Sequence, residues 1–339
     1  MTISRFILLM LGICLVATPV AVQARTFKVA TISPDGLGWM RSFREGVHAV
    51  DVETDGRVKF KIYPGGVQGD DYTVLRKMRI GQLHGGAVAA GVLTRFYPDV
   101  QVYGLPLQFR NFEEVDFVRT RMDERVIGGL ADAGIKSFWL TETGFAYIMS
   151  KQPVRGVEDL AKLKVWVPDG DPISAKLLDS FGISPIPLPM TDVLTGLQTG
   201  LVDTVAVPPL VALALQWHTQ VKYVTDMPLL YIYSMLALDK KAVDRVSDAD
   251  RTTATGLIND VFKRVDDANR ADNVSAYDAL LNQGIESVAP SVEQLAVWRG
   301  LADKSIDSLV AGGALTAEGV AMLRELLSTT RSHQASGAD

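Results

Sequence analysis

At 339 residues, the chain is long enough to build two hydrophobic cores, and with 39 acidic against 34 basic side chains its net charge is −5. A mildly acidic chain without a basic block lacks the electrostatic footprint that nucleic acid requires. The single cysteine, Cys14, excludes a disulfide framework and a cysteine-rich metal centre.

The N-terminus comes first. Arg5 is the only charge before Arg25, and it precedes an apolar run at 6–16 that ends in Ala17-Thr18-Pro19, with Val22-Gln23-Ala24 beyond. A basic start, a short apolar run and a small-residue site predict a signal peptide over 1–24, cleaved after Ala24. A membrane anchor would need roughly 20 apolar residues, and Ile13 before Cys14 disfavours a lipid anchor. The mature chain then carries no cysteine and belongs in the periplasm.

Strand-like and helix-like patterns alternate from there, which predicts α/β architecture. A strand at 27–32 leads through the turn Pro34-Asp35-Gly36 into a helix at 38–53, with Trp39, Phe43 and Val47 at helical spacing. Residues 58–63 alternate Val, Phe and Ile with Lys59 and Lys61, as a half-exposed strand does. A helix at 70–80 stops at Gly81, and a small-residue strand follows at 86–90, ending on Ala90-Gly91. Apolar strands at 135–140 and 145–150 are separated by Thr141-Glu142-Thr143-Gly144. A second series follows Pro153: strand 164–167, helix 173–181, strand 184–187, helix 192–199 with Thr191 as N-cap and Gly200 as stop, and strand 202–207. Residues 229–238 read as a strand buried on both faces. A helix at 247–282 begins with Ser247 and Asp250 at capping-box spacing and is about 50 Å long at 1.5 Å per residue, enough to brace two lobes. A strand at 285–288 and helices at 292–311 and 317–327 complete the fold, and the polar tail 328–339 is predicted to be disordered.

No enzyme machinery emerges from this reading. The four histidines, His48, His84, His218 and His333, lack metal-ligand spacing, and Gly85, Gly86 and Gly91 do not form a dinucleotide fingerprint. No cofactor and no metal are expected. Asp169-Gly170-Asp171 has two readings, a turn that starts a helix or a carboxylate site facing a ligand's amine or hydroxyl.

The run Glu158-Asp159-Leu160-Ala161-Lys162-Leu163-Lys164-Val165-Trp166-Val167-Pro168 resembles the "DLKGLKxRVP" segment of the DctP-like solute-binding proteins of TRAP transporters. Leu197-Gln198-Thr199-Gly200-Leu201-Val202-Asp203 resembles that family's "LQTGxVDG" signature at the expected interval. Further matches, from Gly56-Arg57-Val58 and Pro64-Gly65-Gly66 through Gly104-Leu105-Pro106-Leu107 to Lys222-Tyr223-Val224-Thr225, follow in family order. The resemblance implies a two-lobed periplasmic binding protein fold with crossing strands and a long helix spanning both lobes. Lobe one would comprise 25–140 with 236–282 and lobe two 141–235, while 283–327 would pack across both. It implies capture of a small molecule in the interlobe cleft and its delivery to the membrane subunits of a secondary transporter.

Three departures concern the ligand. Most members hold a carboxylate through an arginine in the "KxRVP" segment, because a guanidinium fork matches a carboxylate bidentately; here that position is Trp166. A second family arginine aligns with Phe145, and the usual polar position after "VDG" falls in the apolar stretch 205–209. The expectation is an apolar cleft for a hydrophobic or amphipathic ligand, lined by Trp39, Ala90, Gly91, Phe145, Trp166, Asp171, Val207 and Pro208. Members lacking the arginine also imply a periplasmic TPR-repeat partner. The alternatives are a C4-dicarboxylate or sugar-acid receptor using another arginine, such as Arg95 or Arg110, or a periplasmic ligand sensor.

Overall fold

The computed structural model describes residues 24–336. The predicted signal peptide over 1–24 therefore lies outside the described residues, save for Ala24 itself. Eleven strands follow in order: β1 (Arg25–Ala30), β2 (Val58–Tyr63), β3 (Gly85–Ala89), β4 (Ile135–Ser137), β5 (Thr141–Ser150), β6 (Trp166–Pro168), β7 (Ile186–Leu188), β8 (Thr204–Val207), β9 (Tyr223–Thr225), β10 (Leu230–Asp239) and β11 (Glu286–Val288). The main sheet runs β11-β9-β5-β10-β3-β1-β2, with β4 also on β10 and β8 also on β5, while β6 and β7 form a parallel pair of their own.

The two ten-residue strands make the architecture. β10 pairs antiparallel with β3 through its C-terminal half, Ser234↔Ala89 to Leu238↔Gly85, and with β5 through its N-terminal half. β5 in turn pairs antiparallel with β8 and β9. Both strands thus pass from the sheet of one lobe into that of the other, the crossing-strand arrangement of a two-lobed binding protein. A register shift between Ile232 and Tyr233 marks the passage, as expected where a bulge bends a strand between two sheets.

Strand β5 begins four residues earlier than the alternation predicts, because Thr141-Glu142-Thr143-Gly144 is strand rather than a break. The reason is tertiary. Asn273, 5 % exposed, donates from Nδ2 to the Thr143 carbonyl at 2.8 Å. Gly144 sits at φ +110°, where a Cβ would lie 2.8 Å from that same Nδ2. Only glycine permits this approach.

Asn273 belongs to the helix Asp248–Asn282, which packs on the helix Gly38–Glu53 at one end and reaches the short helix Pro209–Ala214 at the other. Phe262 meets Phe43 at 5.4 Å between ring centroids, and Gly46 admits Val261 so closely that a Cβ would clash at 2.6 Å. At the other end, the backbone N–H of Leu210 donates to Asn273 Oδ1 at 3.3 Å. The start of this helix is half of a capping box. Ser247 Oγ accepts from the Asp250 N–H at 3.2 Å, but the Asp250 carboxylate turns away to Arg57, at 2.9 and 3.0 Å.

Charged groups lock the joint between the lobes. Arg119, on the helix Phe112–Asp132, donates to Asp123, Asp266, the Leu140 carbonyl and the Tyr231 hydroxyl at 3.2, 3.1, 2.5 and 3.3 Å. Glu142 of β5, 1 % exposed, accepts from Arg270 at 2.8 Å and from the Tyr231 hydroxyl at 3.1 Å. Burial pushes the Glu142 carboxyl up, and Arg270 opposes that shift.

Two expectations need correction. The last helix runs Ala317–Ser336, so the tail predicted to be disordered from 328 is helical as far as Ser336. Arg331 anchors it, with Nε and Nη2 donating to the fully buried Glu114 at 2.8 and 3.0 Å. The helix predicted at 192–199 is Val193–Thr199 with Asp192 at the N-cap; Thr191 lies in a preceding turn and makes no cap bond. Among the described residues, no helix is long and apolar enough to cross a membrane.

Candidate functional site

A cavity of about 210 Å³ lies where the lobes meet. Lobe one supplies Asp70, Asp71 and Tyr72 from the start of the helix Asp71–Arg79, residues 89–92 at the end of β3, and residues 104–106. Lobe two supplies β6, the start of the helix Pro172–Ser180, and β8. Crossing strand β10 lays residues 230–233 along the floor. Glycine at Gly86 lets β3 come close to β1, since a Cβ there would lie 2.6 Å from the Ala30 carbonyl; that approach places the end of β3 at the cavity.

Trp166 is 5 % exposed and walls the cavity. Its indole Nε1–H donates to the Leu188 carbonyl of β7 at 3.0 Å, and its ring meets Trp217 edge-on, 5.2 Å between centroids at 79°. The only polar atom of the side chain is therefore consumed by the protein, and what remains toward the cavity is aromatic carbon. Val165, Val205 and Val207 continue this apolar wall. The two tyrosines on the floor behave alike. Tyr231 gives its hydroxyl proton to Glu142, Tyr233 gives its own to the Val100 carbonyl at 2.6 Å, and both rings remain as apolar surface.

Of the predicted residues, Ala90, Gly91, Trp166, Asp171 and Val207 converge on the cavity. Trp39, Phe145 and Pro208 do not line it. Trp39 stacks on Phe43 at 6.3 Å, against the core beneath the long helix. Phe145 is 4 % exposed and packs between Phe112 and Tyr231 at 4.9 and 5.6 Å, so it supports the floor from behind. Pro208 is the buried N-cap of the helix Pro209–Ala214. An aromatic residue on a strand serves core and cavity equally well, and its sequence does not distinguish them.

Asp171 combines both of its readings. It caps the helix Pro172–Ser180, its Oδ1 accepting from the Ile173 and Ser174 N–H groups at 3.1 Å each, while Oδ2 accepts from Ser174 Oγ at 2.7 Å. It also faces the cavity, with its acceptors occupied.

Asp71 is the residue the sequence reading missed. It is 7 % exposed and lines the cavity; Oδ2 accepts the Ala89 N–H at 2.9 Å, and Oδ1 has no hydrogen-bond partner. Burial pushes its carboxyl up to about 7, Asp70 beside it adds to that, and the Ala89 bond opposes it. The signal was the doublet Asp70-Asp71. One aspartate caps the helix, Asp70 accepting from the Thr73 N–H at 2.9 Å, and the second then needs another reason to be there.

None of the lining residues is lysine, arginine or histidine. The two arginines considered as alternative anchors lie elsewhere. Arg95 sits over the Tyr72 ring at 5.9 Å without lining the cavity, and Arg110 lines a separate surface depression with Arg299 and Arg331.

A ligand-sized cavity between two α/β lobes, walled by both and floored by a crossing strand, is the arrangement of a solute-binding receptor. Comparison with known proteins bears this out. Residues 41–312 match the DctP family, bacterial extracellular solute-binding protein family 7. The chain belongs to that family. A C4-dicarboxylate-binding periplasmic protein of Rhodobacter capsulatus is 24 % identical over 299 residues, 86 % of each chain, and a sialic acid-binding periplasmic protein of Vibrio cholerae is 23 % identical over 80 % of this chain and 84 % of its own. An uncharacterised Salmonella typhimurium protein, YiiZ, is 29 % identical over 200 residues; that match spans 61 % of the relative, short of two thirds of its length. Among solved structures, the sugar acid-binding protein DctPAm of Advenella mimigardefordensis, in complex with galactonate, superposes with a TM-score of 0.82 at 20 % identity, covering 91 % of this chain and 99 % of its own.

Proposed function

We propose that this protein is the periplasmic receptor of a TRAP-type secondary transporter, that it holds a hydrophobic or amphipathic small molecule in the interlobe cavity, and that it delivers this ligand to the transporter's membrane subunits. The observation that carries the ligand class is the absence of any cationic side chain from the lining, with Trp166 at the position of the family's arginine and its N–H already bonded to Leu188. A carboxylate in this cavity would be desolvated without a partner, at a cost of several kcal/mol. A ring-sized apolar body burying roughly 150 Å² would instead gain about 4 kcal/mol at 25 cal/mol per Å². The volume suits such a body, since an apolar cavity of roughly 150 Å³ accepts benzene.

The relatives' sugar acids and dicarboxylates mark the competing reading. Calorimetric titration of ligand-free protein with C4-dicarboxylates and hexuronates separates the two. The apolar reading predicts no saturable binding of either at millimolar concentration; micromolar binding would overturn it. Mass spectrometry of the molecule that copurifies with the native protein should show a compound without an ionised carboxylate. The subgroup resemblance extends the proposal to a periplasmic TPR-repeat partner, for which co-purification from the source periplasm is the test.

A further inference from the structure

We infer that the ligand's polar end is a protonated amine received by Asp71; the inference deepens the apolar-cavity proposal and rests on it. Three aspartates, Asp70, Asp71 and Asp171, wall the cavity, and no lysine, arginine or histidine balances them. Two of the three are committed. Asp70 caps one helix through the Thr73 N–H, and Asp171 caps another through two backbone N–H groups and Ser174 Oγ. Asp71 is not committed, because the Ala89 N–H occupies Oδ2 and Oδ1 is left without a partner on a residue only 7 % exposed. Buried polar atoms are overwhelmingly hydrogen-bonded, and a specific exception at a binding cavity points to the ligand as the missing partner.

The missing partner is a donor, and its charge follows from the surroundings. Oδ2 already accepts a backbone N–H, and Asp71 lies in the first turn of its helix, where the exposed N–H groups favour a carboxylate. Both features oppose the burial that raises this carboxyl to about 7, so at pH 8 Asp71 is ionised and an ammonium N–H is its complement. The neighbouring carboxylates Asp70 and Asp171 add negative potential, which an enclosure of low polarisability focuses. Around Asp71 the other ionisable groups are Tyr72, next on the same helix, and Arg95, whose guanidinium lies 5.9 Å from the centre of the Tyr72 ring and is not among the lining residues. A carboxylate ligand meets three like charges here, and an alcohol makes the hydrogen bond without the charge.

The test is a matched series with one phenyl body and three heads: phenethylamine, 2-phenylethanol and 3-phenylpropanoate. Each is titrated calorimetrically into the full mature protein, freed of copurifying ligand by denaturation and refolding. At pH 8 the amine is expected to bind at least about thirtyfold more tightly than the alcohol, as a desolvated charge pair does relative to one with a partner removed. Because Asp71 must ionise to receive it, amine affinity falls several-fold between pH 8 and pH 6, and binding at pH 6 releases protons, read from the dependence of heat on buffer. Asp71→Asn brings amine and alcohol to equal affinity; its melting curve shows whether it is folded, and the wild-type series carries the test alone if it is not. Equal or tighter binding of the alcohol overturns the amine while leaving the apolar cavity standing, and equal or tighter binding of the acid overturns both. Failure of all three alongside tight dicarboxylate binding overturns both.

Discussion

Replacing Trp166 by alanine separates the two roles that its indole combines. Toward the protein, the ring packs on Trp217 and donates to the Leu188 carbonyl; toward the cavity, it forms wall. Truncating a buried tryptophan costs about 3–5 kcal/mol of stability. The lost hydrogen bond adds little, because the Leu188 carbonyl keeps a second donor, the Asp169 N–H at 3.0 Å. The wall role has a separate magnitude. If roughly a third of the ~150–250 Å² that such a ring buries is ligand-facing, about 60 Å² of contact disappears. At 25 cal/mol per Å² that is about 1.5 kcal/mol, or roughly tenfold in Kd. Urea denaturation reads the first effect, and titration with a phenyl-bodied ligand well below the midpoint reads the second. Loss of stability with unchanged ligand affinity would refute the wall role and make Trp166 a core residue alone. Trp166→Phe should keep most of the wall and lose less than threefold in affinity.

Asp71 makes stability depend on pH in an unusual direction. A carboxyl raised from 3.8 to about 7 binds protons more readily in the folded state than in the unfolded chain, so its contribution falls as pH rises between those values and is flat above them. Asp71→Asn should therefore melt above wild type at pH 8 by a few kcal/mol and match it near pH 4; equal melting at both values refutes the assignment. Arg119→Met leaves Asp123 and Asp266 facing each other without their shared cation, and should cost about 3–5 kcal/mol in urea titrations. Truncation after Leu327 removes Arg331 and strands the fully buried Glu114, with an expected loss of similar size, whereas a disordered tail would cost nothing.

Local patterns were legible where one face of an element decides its fate. The helices Gly38–Glu53 and Val292–Ala311 and the strand Val58–Tyr63 have the limits that their apolar spacing dictates. The helix Phe112–Asp132 went unread although Val115, Val118, Met122, Val126 and Leu130 line its buried side, because six charged residues between them mask the stripe. Strand β5 was cut short in the sequence reading because Thr141 to Gly144 has turn composition; its partners, β10 and Asn273, lie about ninety and 130 residues away. The site divides similarly. Trp166, Asp171 and Val207 were reachable by motif position, since each lies at a strand end or helix start that faces the cleft. Phe145 was not, because the alternation of β5 says which residues share a face but not whether that face meets ligand or core. Asp71 needed the structure, since a carboxylate at a helix start has an ordinary explanation until its neighbour is seen to hold the cap.

On the proposed reading, the distribution of charge explains how one fold can serve a different class of ligand. Function resides in a site built on the fold, and few positions need to change. Here the buried Arg119 and the half-buried Arg270 belong to the joint. Arg119 is saturated by Asp123, Asp266, Leu140 and Tyr231, and Arg270 divides its guanidinium between Asp116 and Glu142. These groups fasten the crossing strands to the long helix on the far side of the cavity floor, and Tyr231 connects the two regions: its hydroxyl belongs to the joint and its ring to the floor. A guanidinium at position 166, where the resemblance places the family's arginine, would compete with none of these bonds, so on the proposed reading a tryptophan there leaves the framework unchanged while altering the charge that the ligand meets. With no lysine, arginine or histidine in the lining, the proposed reading leaves Asp70, Asp71 and Asp171 to set the polarity of the site. Conversion should run both ways. Trp166→Arg with Asp71→Asn restores a cation and removes the one unpartnered acid, and titration with 3-phenylpropanoate should then yield binding where the parent protein shows none. Continued rejection of the acid by this double variant would mean that the wall's shape, rather than its charge, sets the ligand class.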